Sequence, residues 1–237
     1  IIYQMLPRLW GNDKVRLKKN GGLSDNGTGK FSDIDNASLE YIKWLGCSHV
    51  WYTGVIRHST QASEAGCTAS HPQFVKGKAG SPYAICDYYD VNAYLADNAG
   101  DRMLEFEQLI KRTHDAGLKV IIDFVPNHVA RDYGKVDMTP GHPVLGAEDD
   151  KSVHWREEND FIYYPGEALR LPTESPKGME PYYEMPAMAT GNNCYTPAPG
   201  INDWFETVKI NYCDHHTATW DKMYDIIDFW ASKGVDG

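Results

Sequence analysis

The sequence lacks any C-x-x-C pair, although it contains five cysteines among its 237 residues. A zinc or thioredoxin-type site therefore has no support. The five are widely separated, and we expect them to be mainly small buried side chains: Cys47, Cys67, Cys86, Cys194 and Cys213. Because their number is odd, at least one is expected to be free or to pair outside this segment.

Long apolar runs and basic clusters are also missing. The longest apolar run, near residues 119–126, is interrupted by Asp123 and is far shorter than the roughly 20 residues that span a bilayer. The net charge of -10 argues against a nucleic-acid surface. Gly-rich phosphate loops and the G-x-S-x-G pattern do not occur either. We therefore expect no membrane-spanning segment and no nucleic-acid partner; oligomeric state stays open. The compartment is also open, with a secreted or periplasmic location favoured over a cytoplasmic one.

The hydrophobic spacing predicts alternating strands and helices. Strands are predicted near residues 1–6, 48–53 and 118–124, and helices near 32–45, 101–116 and 217–233. Asp101 is a candidate N-cap, and glycines at 46, 117 and 234 are suited to ending the three helices. Residues 235–237 begin a fourth strand. The order predicts a parallel α/β sheet.

The connections are unequal in length, and this bears on the fold. Helix-to-strand turns take a few residues, whereas strand-to-helix connections take tens of residues, the longest running from Asn127 to about Thr217. Long strand-to-helix loops fit a barrel whose site lies at the carboxyl ends of its strands, although a doubly wound sheet would also place its site there. A complete (β/α)8 barrel needs about 250 residues and eight strands. With three strands and the start of a fourth, the chain is expected to be a fragment.

Two segments carry residues suited to a binding site. Asp123-Phe124-Val125-Pro126-Asn127-His128 ends the third strand, and Tyr83 to Asp87 lies in the loop after the second. An Asp in an apolar strand is costly unless it is paired, so it could hold a cation or an arginine. Alternatively, these residues have only a structural role: Asp123 accepts hydrogen bonds from backbone N–H groups, and His128 packs in a turn. Four further histidines lack metal-binding spacing and are expected to lie in solvent-facing loops: His58, His71, His215 and His216.

These segments resemble the α-amylase family of glycoside hydrolases (family 13). DFVPNH resembles that family's first signature, and LEFEQLIKRTHDAGLKVIIDFVPNH its approach into the third barrel strand. IIYQMLPRLW and LGCSHVWYTGVI resemble the first two strands, and DIIDFWASKGVDG the entry to the fourth. The resemblance implies a (β/α)8 TIM barrel of which residues 1–128 form the first part. Residues 129–212 would form an irregular inserted domain B, and 213–237 the continuation, with a helix and the start of strand 4, where the chain stops.

The resemblance also implies roles for individual residues. Tyr83 would stack on a glucose ring, His128 would hydrogen-bond its hydroxyls, and Asp123 would orient an arginine of the fourth strand. Asp87 would support the Tyr83 loop, and all four are the predicted substrate-binding residues. Asn127 would ligate calcium between the barrel and the inserted domain. However, the segment TVKIN (207–211) carries a lysine and an asparagine where many calcium-binding members have a carboxylate-rich motif. No organic cofactor is implied.

No catalytic residue is predicted within the chain. In the family, the nucleophilic Asp, the acid/base Glu and a further Asp would all follow Gly237. The full-length protein is therefore expected to be a retaining hydrolase of α-glucans such as starch and maltooligosaccharides, with this segment alone inactive. A glucan transferase or disaccharide-acting member is the same-class alternative. A non-catalytic relative, like the heavy-chain ectodomains of amino-acid transporters, is the alternative from another class.

Overall fold

The central element is a parallel sheet of three strands. The computed structural model describes residues 1–64, 66–135 and 137–237. Its strands β1 (Ile2–Met5), β2 (His49–Tyr52) and β3 (Lys119–Ile122) are hydrogen-bonded in the order β1-β2-β3. Gly237 lies beside β3, where its N–H donates to Val120 and its carbonyl accepts from Ile122 at 3.0 Å. This is the hydrogen-bond pattern of a parallel ladder, so the start of a fourth strand is confirmed.

Four helices accompany the sheet: α1 (Leu23–Asn26), α2 (Asn36–Trp44), α3 (Arg102–Asp115) and α4 (Ala218–Ser232). The three long ones confirm the predicted helices. α2 begins four residues later than predicted because a 3-10 turn at Phe31–Asp33 precedes it and Asp35 caps it by accepting from the Ser38 N–H at 2.8 Å. Asp101 occupies the N-cap position of α3, as predicted, but its side chain makes no capping hydrogen bond there, and the residue also ends a separate 3-10 turn.

The three predicted helix-ending glycines, Gly46, Gly117 and Gly234, have φ angles of 82°, 78° and 96°. Only glycine adopts this left-handed conformation without a steric penalty. Each residue therefore ends its helix and turns the chain into the next strand.

The core lies between one face of the sheet and the helices. Val50, Tyr52 and Val120 are fully buried on that face, against α2 and α3. The Tyr52 hydroxyl is 2.6 Å from the Thr113 hydroxyl of α3, so the polar end of this buried ring has a partner. The alternate residues, such as Trp51 and Ile121, point to the opposite face and remain partly exposed.

The segment after β3 is irregular, as predicted. It contains two small antiparallel sheets, β4 (His128–Ala130) with β7 (Thr207–Lys209), and β5 (Tyr163–Tyr164) with β6 (Ala187–Met188). The proposed boundary at residue 128 falls inside β4, and the domain limits stay a prediction. All five cysteines are free thiols, of which Cys86 is buried and the other four are partly exposed, so the expectation that most would be buried is wrong. In the described part of the chain, no helix combines the length and apolar character needed to cross a bilayer.

His58 contradicts the expectation of a solvent-facing histidine. Only 1% of the residue is exposed. Asn92 Nδ2 donates to its Nδ1 at 2.9 Å, and its Nε2 lies 3.1 Å from the Ala79 carbonyl. These partners suit a neutral ring protonated at Nε2. Burial accordingly lowers the pKa of His58 to about 4.

We expect this histidine to make the fold sensitive to acid. Because its pKa is lower in the folded chain, the unfolded chain binds more protons, and stability falls as the pH drops from about 6.5 to about 4. The loss should approach roughly 3 kcal/mol. Urea unfolding at pH 7 and pH 4.5 measures it: His58→Gln should reduce this pH dependence, whereas His71→Gln, at a more exposed histidine, should not. Equal pH dependence in the wild type and His58→Gln would contradict the assignment.

Candidate functional site

A cleft of about 570 Å³ opens at the carboxyl end of β3, on the face of the sheet away from the core helices. It is lined by Ile2, Trp51, Tyr83, Ile121, Ile122, Asp123, Phe124, Val125 and His128. Three of the four predicted substrate-binding residues, Tyr83, Asp123 and His128, therefore meet in one place. They come from the ends or following loops of β2 and β3, which lie side by side in the sheet.

Asp123 joins the ends of two neighbouring strands. One carboxylate oxygen accepts from the Trp51 indole at 2.8 Å, and the other accepts from the Gly54 N–H at 2.6 Å. Burial raises the pKa of Asp123, and the two hydrogen bonds oppose that rise. The arginine that the resemblance pairs with Asp123 would follow Gly237. In this chain the carboxylate fixes the Trp51 ring and the Gly54 turn at the floor of the cleft.

His128 begins β4 and is 7% exposed. Asn127 Nδ2 donates to its Nδ1 at 2.9 Å. Burial lowers the pKa of His128, the Tyr83 carbonyl opposes this by accepting from the ring, and the charge of Lys209 lowers it slightly further. The imidazole is thus held neutral beside Tyr83, whose side chain is 43% exposed. An open aromatic ring next to a neutral N–H donor suits a ligand with an apolar face and hydroxyl edges.

Asn127 does not have the surroundings of a calcium ligand. Its side-chain oxygen, the atom that would bind the metal, accepts from Lys209 Nζ at 2.7 Å. Its amide nitrogen donates to the Gly191 carbonyl at 2.9 Å. A cationic ammonium at the ligand oxygen repels Ca²⁺, which needs six to eight oxygen ligands. The expectation of calcium at Asn127 therefore does not fit the residues present.

Asp87 lies outside the cleft. It is fully buried; one oxygen accepts from the Tyr89 N–H at 2.9 Å, and the other accepts from the N–H and the hydroxyl of Thr139 at 2.8 Å. These bonds tie the loop that carries Tyr83 to the inserted segment. The geometry matches a loop-supporting position and leaves no carboxylate oxygen facing a ligand in the cleft.

Trp204 was missed by the sequence analysis. Its ring is 5.3 Å from the His128 imidazole, inclined at 61°, and 44% of the residue is exposed. Its position is fixed locally, since its carbonyl accepts from the N–H and the hydroxyl of Thr207 at 2.8 Å. The contact joins residues 76 positions apart, and no local pattern in the sequence indicates it.

The lining of the cleft combines aromatic and polar side chains but lacks paired carboxylates among its described residues. Asp123 is the only carboxylate among the described residues that line it. Retaining glycoside hydrolysis needs two carboxylates about 5–5.5 Å apart, and the described lining offers no such pair. The described lining can therefore contact a ligand with an apolar face and hydroxyl edges, but it contains no nucleophile and acid pair for retaining hydrolysis.

Comparison with known proteins agrees with this geometry. Residues 23–237 match the family model described as the α-amylase catalytic domain. The amino acid transporter heavy chain SLC3A1 of Mus musculus is 24% identical over 241 residues, which cover all of this chain and 27% of that protein. An α-glucosidase of Pediococcus pentosaceus is 23% identical over 242 residues, all of this chain and 33% of the relative. The probable oligo-1,6-glucosidase 3 of Bacillus subtilis (strain 168) is 24% identical over 242 residues, 34% of its length.

Solved structures lead to the same fold. An α-amylase from Lactobacillus plantarum superposes with a TM-score of 0.55 at 20% identity, covering all of this chain and 36% of that structure. The chain thus spans about a third of the length of the relatives and holds three barrel strands and the start of a fourth. With a family match over most of its length and the fold of its barrel, the chain belongs to the α-amylase family of glycoside hydrolases.

Proposed function

We propose that the full-length protein is a retaining hydrolase of α-glucans and that this chain supplies the sugar-binding floor of its active site. The observation that carries the proposal is the meeting of Tyr83, Asp123 and His128 in one cleft at the strand ends. Tyr83 would stack on the apolar face of a glucose unit, and the His128 N–H would donate to a ring hydroxyl. Asp123 would keep the cleft floor in place and orient an arginine of the next strand.

Calcium binding is known for the family, but we do not propose it for Asn127 of this protein. Members of the family often bind calcium and need no organic cofactor. Because Lys209 donates to the oxygen of Asn127, we propose that this protein holds no calcium at Asn127. The catalytic carboxylates would come from strands that follow Gly237.

The relatives include both glucosidases and an amino acid transporter heavy chain. The mouse transporter heavy chain and the α-glucosidase are similar to the chain to nearly the same degree, at 24% and 23% identity. Identity alone therefore does not separate them. The open ring of Tyr83 beside a neutral His128 favours the hydrolase, because a barrel that binds no sugar gains nothing from exposing a large aromatic side chain in a cleft.

Incubating the full-length protein with maltoheptaose tests the proposal. We expect shorter maltooligosaccharides, with the anomeric configuration retained. Tyr83→Ala should reduce kcat/KM by about tenfold to a hundredfold, as expected for removing one ring contact worth roughly 1–3 kcal/mol. Tyr41→Ala, at a half-exposed tyrosine on α2, is the matched control and should leave kcat/KM unchanged. Products longer than maltoheptaose would indicate a transferase, and absence of any product would support the non-catalytic class.

A further inference from the structure

Lys209 places its ammonium group beside Asn127, and no acidic side chain in the described part of the chain forms an ion pair with it. It lies on β7 directly opposite His128, and Asn127 Oδ1 accepts from its Nζ at 2.7 Å. Among the ion pairs found in residues 1–64, 66–135 and 137–237, none includes Lys209, and burial lowers the pKa of its ammonium group. Burying half of a cation is costly, and among the described residues its partner is the neutral Asn127 oxygen, so its position calls for a reason beyond packing.

Hydrogen bonds connect Lys209, Asn127 and His128, and the donor and acceptor properties of these groups fix the orientation of the Asn127 amide. An ammonium group can only donate, so the oxygen of the Asn127 side chain must face Lys209. The amide nitrogen then faces the Gly191 carbonyl, which can only accept, and His128 Nδ1, each at 2.9 Å. The Lys209 ammonium group and the Gly191 carbonyl therefore specify the same orientation of the Asn127 amide.

The same logic places the proton of His128. Because the Asn127 amide nitrogen can only donate, the Nδ1 that it contacts must carry a lone pair. The single proton of the neutral ring is then on Nε2, and the ring has a hydrogen bond with the backbone of Tyr83. If Lys209 were absent, only the Gly191 carbonyl would oppose a rotation of the Asn127 amide that presents its oxygen to Nδ1 and draws the proton there.

We propose that Lys209 is a positioning residue that acts through Asn127 to hold His128 in the Nε2–H tautomer, oriented toward Tyr83 and the sugar. The ammonium group of Lys209 thereby holds the Asn127 side-chain oxygen, as a bound metal ion would. It holds the amide oxygen and joins β7 of the inserted segment to the end of the barrel strand. The effect of Lys209 on sugar binding rests on the proposed function, whereas the assignment of the His128 tautomer does not.

The proton position can be measured without substrate. In full-length protein labelled with ¹⁵N-histidine, long-range ¹H–¹⁵N spectra distinguish a protonated from a bare ring nitrogen, with His128→Gln assigning the resonances. The wild type should show a bare Nδ1. Lys209→Arg, which keeps a donor, should retain this tautomer. Lys209→Met should shift it wholly or partly to Nδ1–H. Asn127→Asp should do the same, because a carboxylate oxygen then faces Nδ1.

Binding gives a second, separate measurement. Lys209→Met should raise KM for maltoheptaose by about tenfold, the equivalent of one hydrogen bond, with kcat changed by less. Lys222→Met is the matched control, because Lys222 also links the inserted segment to the barrel, through Asp160 rather than Asn127. It should leave both the tautomer and KM as in the wild type. Dialysis against EDTA should leave the wild-type KM unchanged.

Four outcomes would overturn the proposal: a protonated Nδ1 in the wild type, an unchanged tautomer in Lys209→Met, equal effects of Lys209→Met and Lys222→Met on KM, or a chelator effect on KM reversed by calcium. If the protein turns no glucan over, the proposed function fails, and the tautomer measurement still decides the role of Lys209.

Discussion

Replacing Asp160 by alanine is expected to lower the free energy of unfolding by about 3–5 kcal/mol, the cost of removing one partner from a buried ion pair. Asp160 is fully buried in the inserted segment. One oxygen accepts from the Thr219 hydroxyl at 2.7 Å, and the other accepts from Lys222 Nζ at 2.5 Å and from the Gly146 N–H at 2.7 Å. Alanine would leave a cation, a hydroxyl and an N–H without this acceptor, at the junction with α4.

Urea unfolding of the wild type and the variants measures this loss. Asp150→Ala is the matched control, because Asp150 lies in the same segment but its side chain is 38% exposed; it should cost less than about 1 kcal/mol. The double variant Asp160→Ala/Lys222→Met should recover part of the loss, since it also removes the unpaired charge. Equal costs for Asp160→Ala and Asp150→Ala would contradict the view that Asp160 holds the inserted segment to the helix.

The barrel elements could be predicted from the sequence because their signals are local. The apolar spacing of α3, the glycine at 117 and the apolar run of β3 lie within about two dozen consecutive residues. Each helix and strand carries its own periodicity, and short turns leave few ways to connect them. The same holds for DFVPNH, because a strand end and its following loop are adjacent in the sequence.

The inserted segment could not be predicted in this way, because long-range contacts determine its structure. Asp160 resembles any loop carboxylate until Lys222, 62 positions later, is placed beside it. Lys209 was noted only as a departure from an acidic motif, and its contact with Asn127 crosses 82 positions. His58 was expected to face solvent because no local pattern shows that Asn92, 34 positions away, covers it. Such partners are set by the packed structure, not by spacing.

Gly191→Ala is expected to disturb the His128 side of the cleft strongly. A Cβ at this position would lie 2.7 Å from His128 Cβ, 2.9 Å from His128 Cγ and 2.6 Å from Thr207 Oγ1. None of these neighbours is free to retreat. His128 is held by Asn127, while Thr207 Oγ1 donates to the Trp204 carbonyl at 2.8 Å and accepts from the Gly191 N–H at 3.1 Å.

The expected result is a displaced imidazole in a chain that still folds. The φ angle of Gly191 is not in the left-handed region, so alanine is opposed by space alone, and overpacking of this kind costs about 1–3 kcal/mol. A shift of about 1 Å in a residue that positions the substrate can lower the rate by about a hundredfold. We therefore expect kcat/KM of the full-length protein for maltoheptaose to fall by about that factor, with a much smaller loss of Tm.

Gly22→Ala provides the matched control, because an added Cβ there meets no atom within 4 Å and its backbone angle of -86° suits any residue. It should leave kcat/KM within about twofold of the wild type, since surface changes of this kind are usually worth less than about 0.5 kcal/mol. If Gly191→Ala also leaves kcat/KM unchanged while a crystal structure shows His128 displaced, His128 does not contact the sugar. The binding role would then rest on Tyr83, which lines the same cleft and is 43% exposed.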